Sequence, residues 1–213
     1  MSHLFSTATT DGHAEDGILH RHADWWAAVI IVVYALLHLY QIAAPPNGYH
    51  VWRESDTAVV ALNYHQHDMP LLQPMTNEVS SMAAGLRMEL PVYCWLTAAG
   101  YALFGMTHTI PHLITILFGC LGLVCFYRTI KAWTDRLTAL AGGIALAFSP
   151  LYFYYGFKIM PDIMMLGLTL CSVRLFTAFL QTNRLWTLTI AATALALAAC
   201  IKHFGATPTD TSR

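Results

Sequence analysis

The chain has 213 residues, of which 56% are hydrophobic and only 11% are charged. A typical globular domain has about 25% charged residues, so this composition excludes an ordinary water-soluble domain. The near balance of 11 basic and 12 acidic side chains gives no basic surface for nucleic acid. We therefore interpret the chain as an integral membrane protein without a nucleic-acid partner.

Long apolar segments recur along the chain and predict its membrane spans. Residues 1–22 are polar and are predicted to form a flexible cytoplasmic tail, and a first span follows at 25–44. About twenty apolar residues are needed to cross the roughly 30 Å hydrocarbon core of a bilayer. The shorter apolar stretch 91–105 is instead predicted to be a helix lying on the outer membrane face. Further spans are predicted at 110–130, 137–157, 163–180 and 185–201.

The basic residues of the connections predict the orientation of these spans. Arg128, Lys131 and Arg136 lie around the connection between the second and third spans, and Arg184 lies in the next connection of the same parity. Because basic connections are kept in the cytoplasm, the N-terminus is predicted to be cytoplasmic. The sequence therefore predicts an all-α polytopic membrane protein with about five transmembrane helices and a long outer loop that contains interfacial helices.

The predicted outer loop, at about 45–109, concentrates ionisable side chains. It holds seven of the 23 formally charged residues of the chain, and loops of this length are usually functional. Ser55, Asp56 and Thr57 precede the run that begins at Ala58 and predict a capped helix start there, and Glu89 precedes the interfacial helix. Asp162 is predicted at the outer end of the third span, so three carboxylates are expected on one membrane face.

Basic side chains accompany these carboxylates. Arg53 and Arg87 lie in the outer loop, and Lys158 lies close to Asp162. Ionisable residues at membrane depth are costly and tend to mark functional sites. We therefore predict a polar site on the outer face, in which the three basic residues hold an anionic lipid headgroup.

No metal or cofactor site is predicted from the residues. The five cysteines lie in apolar runs without a Cys-x-x-Cys pair, which is typical of buried thiols. A bis-histidine haem between His38 and His112 is geometrically allowed, but no paired histidines at helical spacing support it. We interpret both histidines as structural residues.

Short motifs in and after the outer loop resemble those of GT-C membrane glycosyltransferases. The nearest group comprises the dolichyl-phosphate-mannose protein mannosyltransferases, the aminoarabinose transferases and the lipopolysaccharide-core galacturonosyltransferases. The resemblance extends from about residue 25 to residue 202, with the motifs in the same order. The motifs are WRESDTA at 52–58, ALNY at 61–64, ELP at 89–91, LFG at 103–105 and MPD at 160–162.

The resemblance implies a transferase that moves a sugar from a polyprenyl-phosphate carrier to an acceptor hydroxyl on the outer or lumenal face. Asp56 would be the general base on that hydroxyl, with Glu89 near the acceptor and Asp162 as a third member of the site. The expected partners are the lipid-linked sugar, membrane lipids and a glycan, lipid or protein acceptor. No cofactor is implied, and a role for a divalent metal is left open. The expected location is the bacterial inner (plasma) membrane.

The sequence departs from these enzymes at two positions. Thr57 follows Asp56 where the aminoarabinose and protein mannosyltransferase branches tend to have glutamate. Leu90 stands where the aminoarabinose enzymes have a lysine that contacts phosphate. Either one of the three basic residues of the predicted site replaces that lysine, or the donor is held differently.

Complete members of this group have many more transmembrane helices than this chain. Lys202 still follows the pattern of the group, whereas the polar tail 203–213 does not. We therefore expect a membrane domain over 23–202 in a truncated or frameshifted chain, whose activity is left open. The alternative interpretation is a non-catalytic membrane protein, a transporter subunit or an assembly partner that binds lipid or carbohydrate through its outer loop.

Overall fold

The computed structural model describes residues 10–47, 49–67, 71 and 90–203, with side chains from His22 to Ile201 within these ranges. The regular structure in these ranges is entirely α-helical, which confirms the predicted fold class. The helices are α1 (Thr10–Leu39), α2 (Val51–Gln66), α3 (Val92–Phe104), α4 (Thr109–Trp133), α5 (Arg136–Ala147), α6 (Pro150–Tyr155), α7 (Asp162–Thr182) and α8 (Leu185–His203).

Three helices are long and apolar enough to cross a membrane, judged by length and composition. They are the part of α1 at His22–Leu39, α4 and α7, while α3, α5 and the segment Leu185–Ile201 of α8 are shorter apolar helices. The predicted span at 137–157 is interrupted, because α5 ends at Ala147 and α6 begins at Pro150. Proline lacks an amide proton and clashes with the preceding turn, so it begins a helix more readily than it continues one.

One end of the helix bundle, which we call the basic end, joins the start of α1 to the connection between α4 and α5. Lys131 Nζ lies 2.5 Å and Arg136 Nη1 lies 3.7 Å from carboxylate oxygens of Asp24. The Tyr127 hydroxyl donates to the same carboxylate at 2.8 Å. Helices α1 and α4 therefore run antiparallel, with the basic residues of the predicted cytoplasmic connection gathered together.

The opposite end, which we call the polar end, joins the end of α1 to the start of α4 and to the turn between α6 and α7. The ring nitrogens of His112 lie 2.7 Å and 3.1 Å from the carbonyl oxygens of Phe157 and Ala44. Those of His38 lie 2.7 Å and 2.9 Å from the carbonyl oxygens of Tyr34 and Phe153. Each ring thus contacts two backbone carbonyls, in keeping with a structural role.

Helices α2 and α3 pack against each other at the polar end. Val60 and Ala61 of α2 lie in a buried cluster with Cys94 and Tyr101 of α3. The Tyr93 hydroxyl donates to the carbonyl of Pro111, which fastens α3 to the start of α4. The part of the predicted outer loop that the structure describes therefore forms a helical layer over the ends of the long helices.

Small residues allow α4 and α7 to cross closely. A β-carbon placed on Gly167 of α7 would lie 2.5 Å from the carbonyl oxygen of Phe118, and one placed on Gly122 of α4 would lie 3.4 Å from the Gly167 α-carbon. Interfaces between membrane helices favour small residues because dispersion contacts require close approach of the backbones. The crossing fixes the depth at which α7 begins, and therefore the position of Asp162.

Replacing Gly167 by alanine is expected to lower the free energy of unfolding by about 1–3 kcal/mol, because the carbonyl it meets belongs to a helix backbone that cannot rotate away. The matched control is Gly143→Ala in α5, where a β-carbon meets no atom within 4 Å. This control should gain about 0.5–1 kcal/mol of helix stability. Denaturant titration in detergent micelles measures both changes, and equal stabilities of the two variants would contradict the close crossing.

Candidate active site

Helix α2 begins earlier than the sequence predicts, and this changes the position of Asp56. The helix begins at Val51, after His50, whose side chain makes no capping bond. Asp56 therefore lies in the second turn of the helix, and the prediction of a capped helix start at residues 55–57 is wrong. The physical reason is tertiary, because Glu54 of the first turn is buried against another segment and stabilises the helix upstream of Asp56.

A buried ion pair joins Glu54 of α2 to Lys158 in the turn before α7. Lys158 Nζ lies 2.9 Å from Glu54 Oε1, and the side chains are 6% and 1% exposed. Lys158 also donates to the backbone carbonyl of Asn47 at 2.6 Å, and the Ile159 amide donates to Glu54 Oε2 at 3.4 Å. The pair therefore ties together the segment after α1, helix α2 and the turn before α7.

A second ion pair lies beside the first. Arg53 Nη2 is 3.7 Å from Asp162 Oδ2, and the two side chains are 31% and 20% exposed. Asp162 is the first residue of α7, where the positive end of the helix dipole favours a carboxylate. The structure thus brings together three residues that the sequence assigned to the site, namely Arg53, Lys158 and Asp162.

Asp56 projects from a different side of α2. At 3.6 residues per turn, positions two apart are separated by about 200° around the helix axis, so Asp56 points away from the buried Glu54. Its side chain is partly buried. Among the residues that the structure describes, none forms an ion pair or a hydrogen bond with the Asp56 carboxylate.

A cavity of about 380 Å³ lies along another side of α2. Its walls include Ser55 and Val59 of α2, Tyr101 of α3 and His108 before α4. Burial raises the pKa of Tyr101 above its ordinary value, so its hydroxyl remains protonated and able to donate. Because Ser55 precedes Asp56, the cavity adjoins the helical turn that carries the carboxylate, and its mainly apolar wall with few polar groups is typical of ligand sites.

The predicted site residues Arg87 and Glu89 lie outside the described residues, so their positions are not part of this geometry. The next residue, Leu90, donates its amide to the carbonyl of Cys200 at 3.2 Å. This bond sets the end of α8 beside the start of α3.

Sequence reasoning assigned no site role to Glu54 or Asn47. A helical period started at Val51 would have predicted a shared face for Glu54, Thr57 and Ala61, all of which are buried. The pairing of Glu54 with Lys158 is a contact between distant parts of the chain, and no local pattern indicates it. No metal-binding group of three or more histidine, cysteine or acidic residues occurs among the described residues.

Replacing Lys158 by methionine is expected to destabilise the protein by about 3–5 kcal/mol, because it leaves the Glu54 carboxylate buried without its cation. The double variant Glu54→Leu/Lys158→Met should recover most of this loss, since it removes both charges. The control is Lys131→Met at the basic end, where Asp24 is 48% exposed and the expected loss is only about 0–1 kcal/mol. Equal losses from Lys158→Met and Lys131→Met would refute the buried pair.

The sequence of the chain matches the model of one known protein family. A family model described as dolichyl-phosphate-mannose-protein mannosyltransferase matches residues 89–207, which is more than half of the chain. The matched part contains Lys158 and Asp162, whereas Arg53 and Asp56 precede it. Neither the curated proteins nor the solved structures include a significant match. The chain therefore belongs to the dolichyl-phosphate-mannose-protein mannosyltransferase family of membrane glycosyltransferases.

Proposed function

We propose that the protein transfers a sugar from a polyprenyl-phosphate carrier to an acceptor hydroxyl, at the polar end of the bundle and on the outer face of the membrane. The observation that carries the proposal is the contrast among three carboxylates of this end. Glu54 and Asp162 are held in ion pairs, whereas the Asp56 carboxylate is engaged by no described residue. We propose that this carboxylate engages the substrate.

In the proposed reaction Asp56 acts as the general base. It accepts the proton of the acceptor hydroxyl while the hydroxyl oxygen forms a bond to the anomeric carbon of the donor sugar. The bond between that carbon and the phosphate oxygen breaks, and the lipid phosphate leaves with the electron pair. A positioned carboxylate contributes typically 10²–10⁴-fold to such a step, and direct displacement inverts the anomeric configuration.

The departing phosphate requires cationic donors. We propose Arg53 for this role, because its guanidinium is partly exposed and carries five donors in a planar fork. Its contact with Asp162 orients the guanidinium from one side. Lys158 is already held by Glu54 and Asn47, so a direct phosphate contact would require that pair to open. For Arg87 we propose a contact with the phosphate, and for Glu89 a position near the acceptor.

Two observations favour this proposal over the alternative of a transporter subunit or an assembly partner. They are the match to a glycosyltransferase family and the distribution of the carboxylates. A proton or cation path would require carboxylates along the interior of the long helices. The carboxylate side chains that the structure describes lie instead at the two ends of the bundle. We propose a subgroup with a polyprenyl-phosphate donor in the bacterial inner membrane, with the N-terminus in the cytoplasm.

Replacing Asp56 by asparagine is expected to lower turnover by at least about 10²-fold, since the amide cannot accept the hydroxyl proton. Release of polyprenyl phosphate from a radiolabelled polyprenyl-phosphate sugar, in membranes that contain the protein, measures this loss. The matched control is Asp135→Asn, which keeps a capping side chain at the start of α5. Turnover of Asp56→Asn equal to that of Asp135→Asn would contradict the base assignment.

Cysteines introduced at the polar end and at the basic end of the bundle test the proposed orientation of the chain in the membrane. Tyr49, next to α2, is 88% exposed, and Trp133, at the end of α4, is 68% exposed. In intact cells a membrane-impermeant maleimide is expected to label Tyr49→Cys and to label Trp133→Cys only after the membrane is opened. The reverse pattern would move the proposed site to the cytoplasmic face.

A further inference from the structure

A second cavity, of about 420 Å³, opens at the polar end between the end of α1, the segment that follows it, and α6. It lies on the far side of Lys158 from α2, since Lys158 contributes to its wall and pairs with Glu54 behind it. The side chains that define its chemistry are Tyr40, Gln41, Asn47, Phe153, Tyr154 and Lys158.

The wall of this cavity combines aromatic rings with carboxamides. Tyr40, Phe153 and Tyr154 present ring surfaces and all remain substantially exposed. Gln41 and Asn47 add amide groups that both donate and accept hydrogen bonds. A pyranose ring has the complementary surface, with an apolar face of C–H groups and a rim of hydroxyls. A few convergent polar groups in an otherwise aromatic pocket are the usual means of orienting such a ligand.

The charge of the cavity favours a neutral ligand over an anion. Lys158 is the only lysine or arginine in the described wall, and Glu54 balances its charge at 2.9 Å. A second donor of the ammonium is used by the Asn47 carbonyl. Lys158 Nζ also lies 5.1 Å from the centroid of the Tyr154 ring, whose electrons further compensate the charge of the ammonium. The Asn47 carboxamide oxygen lies 3.4 Å from the same nitrogen, and a phosphate would have to compete with Glu54 for the ammonium.

Two rings of the aromatic wall, Phe153 and Tyr154, pack against neighbouring rings of the protein. The buried His38 ring lies 2.9 Å from the Phe153 carbonyl oxygen and 4.6 Å, between centroids, from the Phe153 ring. His50 stacks on Tyr155, the residue after Tyr154. A wall fixed in this way loses little side-chain entropy on binding.

We propose that this cavity binds a neutral hexose unit of a glycan, so that the acceptor in the reaction is a carbohydrate. Only the identification of the bound glycan as the acceptor rests on the proposed function, because binding of a hexose requires no sugar transfer. The cavity adjoins the Glu54–Lys158 pair and lies across α2 from the side that carries Asp56. It would therefore hold a sugar unit of the acceptor away from the reacting hydroxyl.

Saturation-transfer NMR on the full chain in lipid nanodiscs, prepared without glycoside detergents, tests the proposal with methyl hexosides and inorganic phosphate as probes. At least one methyl hexoside should give a saturable signal. Tyr154→Leu should weaken its affinity roughly tenfold, the usual scale for loss of an aromatic contact, and Gln41→Ala should weaken it without disturbing the aromatic wall. The matched control is Phe176→Leu in α7, which removes a 47% exposed ring outside the cavity.

The outcomes separate this inference from the proposed reaction. Hexoside binding that persists in Asp56→Asn, and even in a protein without transferase activity, supports the cavity assignment. Absence of hexoside binding to the unaltered chain, or equal affinity in Tyr154→Leu, Gln41→Ala and Phe176→Leu, overturns it. Inorganic phosphate that displaces the hexoside, or that binds in its place, also overturns it, because the cavity would then be an anion site.

Discussion

The buried pair between Glu54 and Lys158 is the interaction on which the polar end depends. Two charges withdrawn from water at this end are tolerable only when they meet each other and further hydrogen-bonding groups. The pair achieves this with a backbone carbonyl of the segment after α1 and a backbone amide of the turn before α7. Its geometry therefore fixes α2, which also carries Arg53 and Asp56, against two other segments.

Because α2 is fixed, its charged residues lie in different surroundings. Glu54 turns inward to Lys158, and Arg53 meets Asp162 at the start of α7. Asp56, on another side of the helix, meets no described partner. A carboxylate that acts as a general base must lie within reach of the substrate. The position of Asp56 therefore suits the reaction proposed for a membrane glycosyltransferase. One cavity lies beside Ser55 of α2, and the other lies beyond Lys158, on the side away from α2.

The fold class followed from the sequence because long apolar runs must be helical in a bilayer, where every backbone group needs an internal partner. Hydropathy did not reveal the break at Pro150, since the residues on both sides are equally apolar. Local capping rules misplaced the start of α2, because the burial of Glu54 extends the helix upstream of Asp56. The residues of the site were largely recognisable by type, whereas the partner of Lys158 required the tertiary structure, since no local pattern links it to Glu54.

Hydrogen exchange of the α2 backbone tests most directly the claim that this pair holds the site together. In Lys158→Met, amides of 51–60 should exchange faster than in the unaltered protein, by a larger factor than those of α4 and α7, which lose only the protection that the global destabilisation removes. Local opening of α2 is the expected consequence of a carboxylate left buried without its cation. Unchanged exchange in α2, or a uniform increase over all helices, would contradict the account.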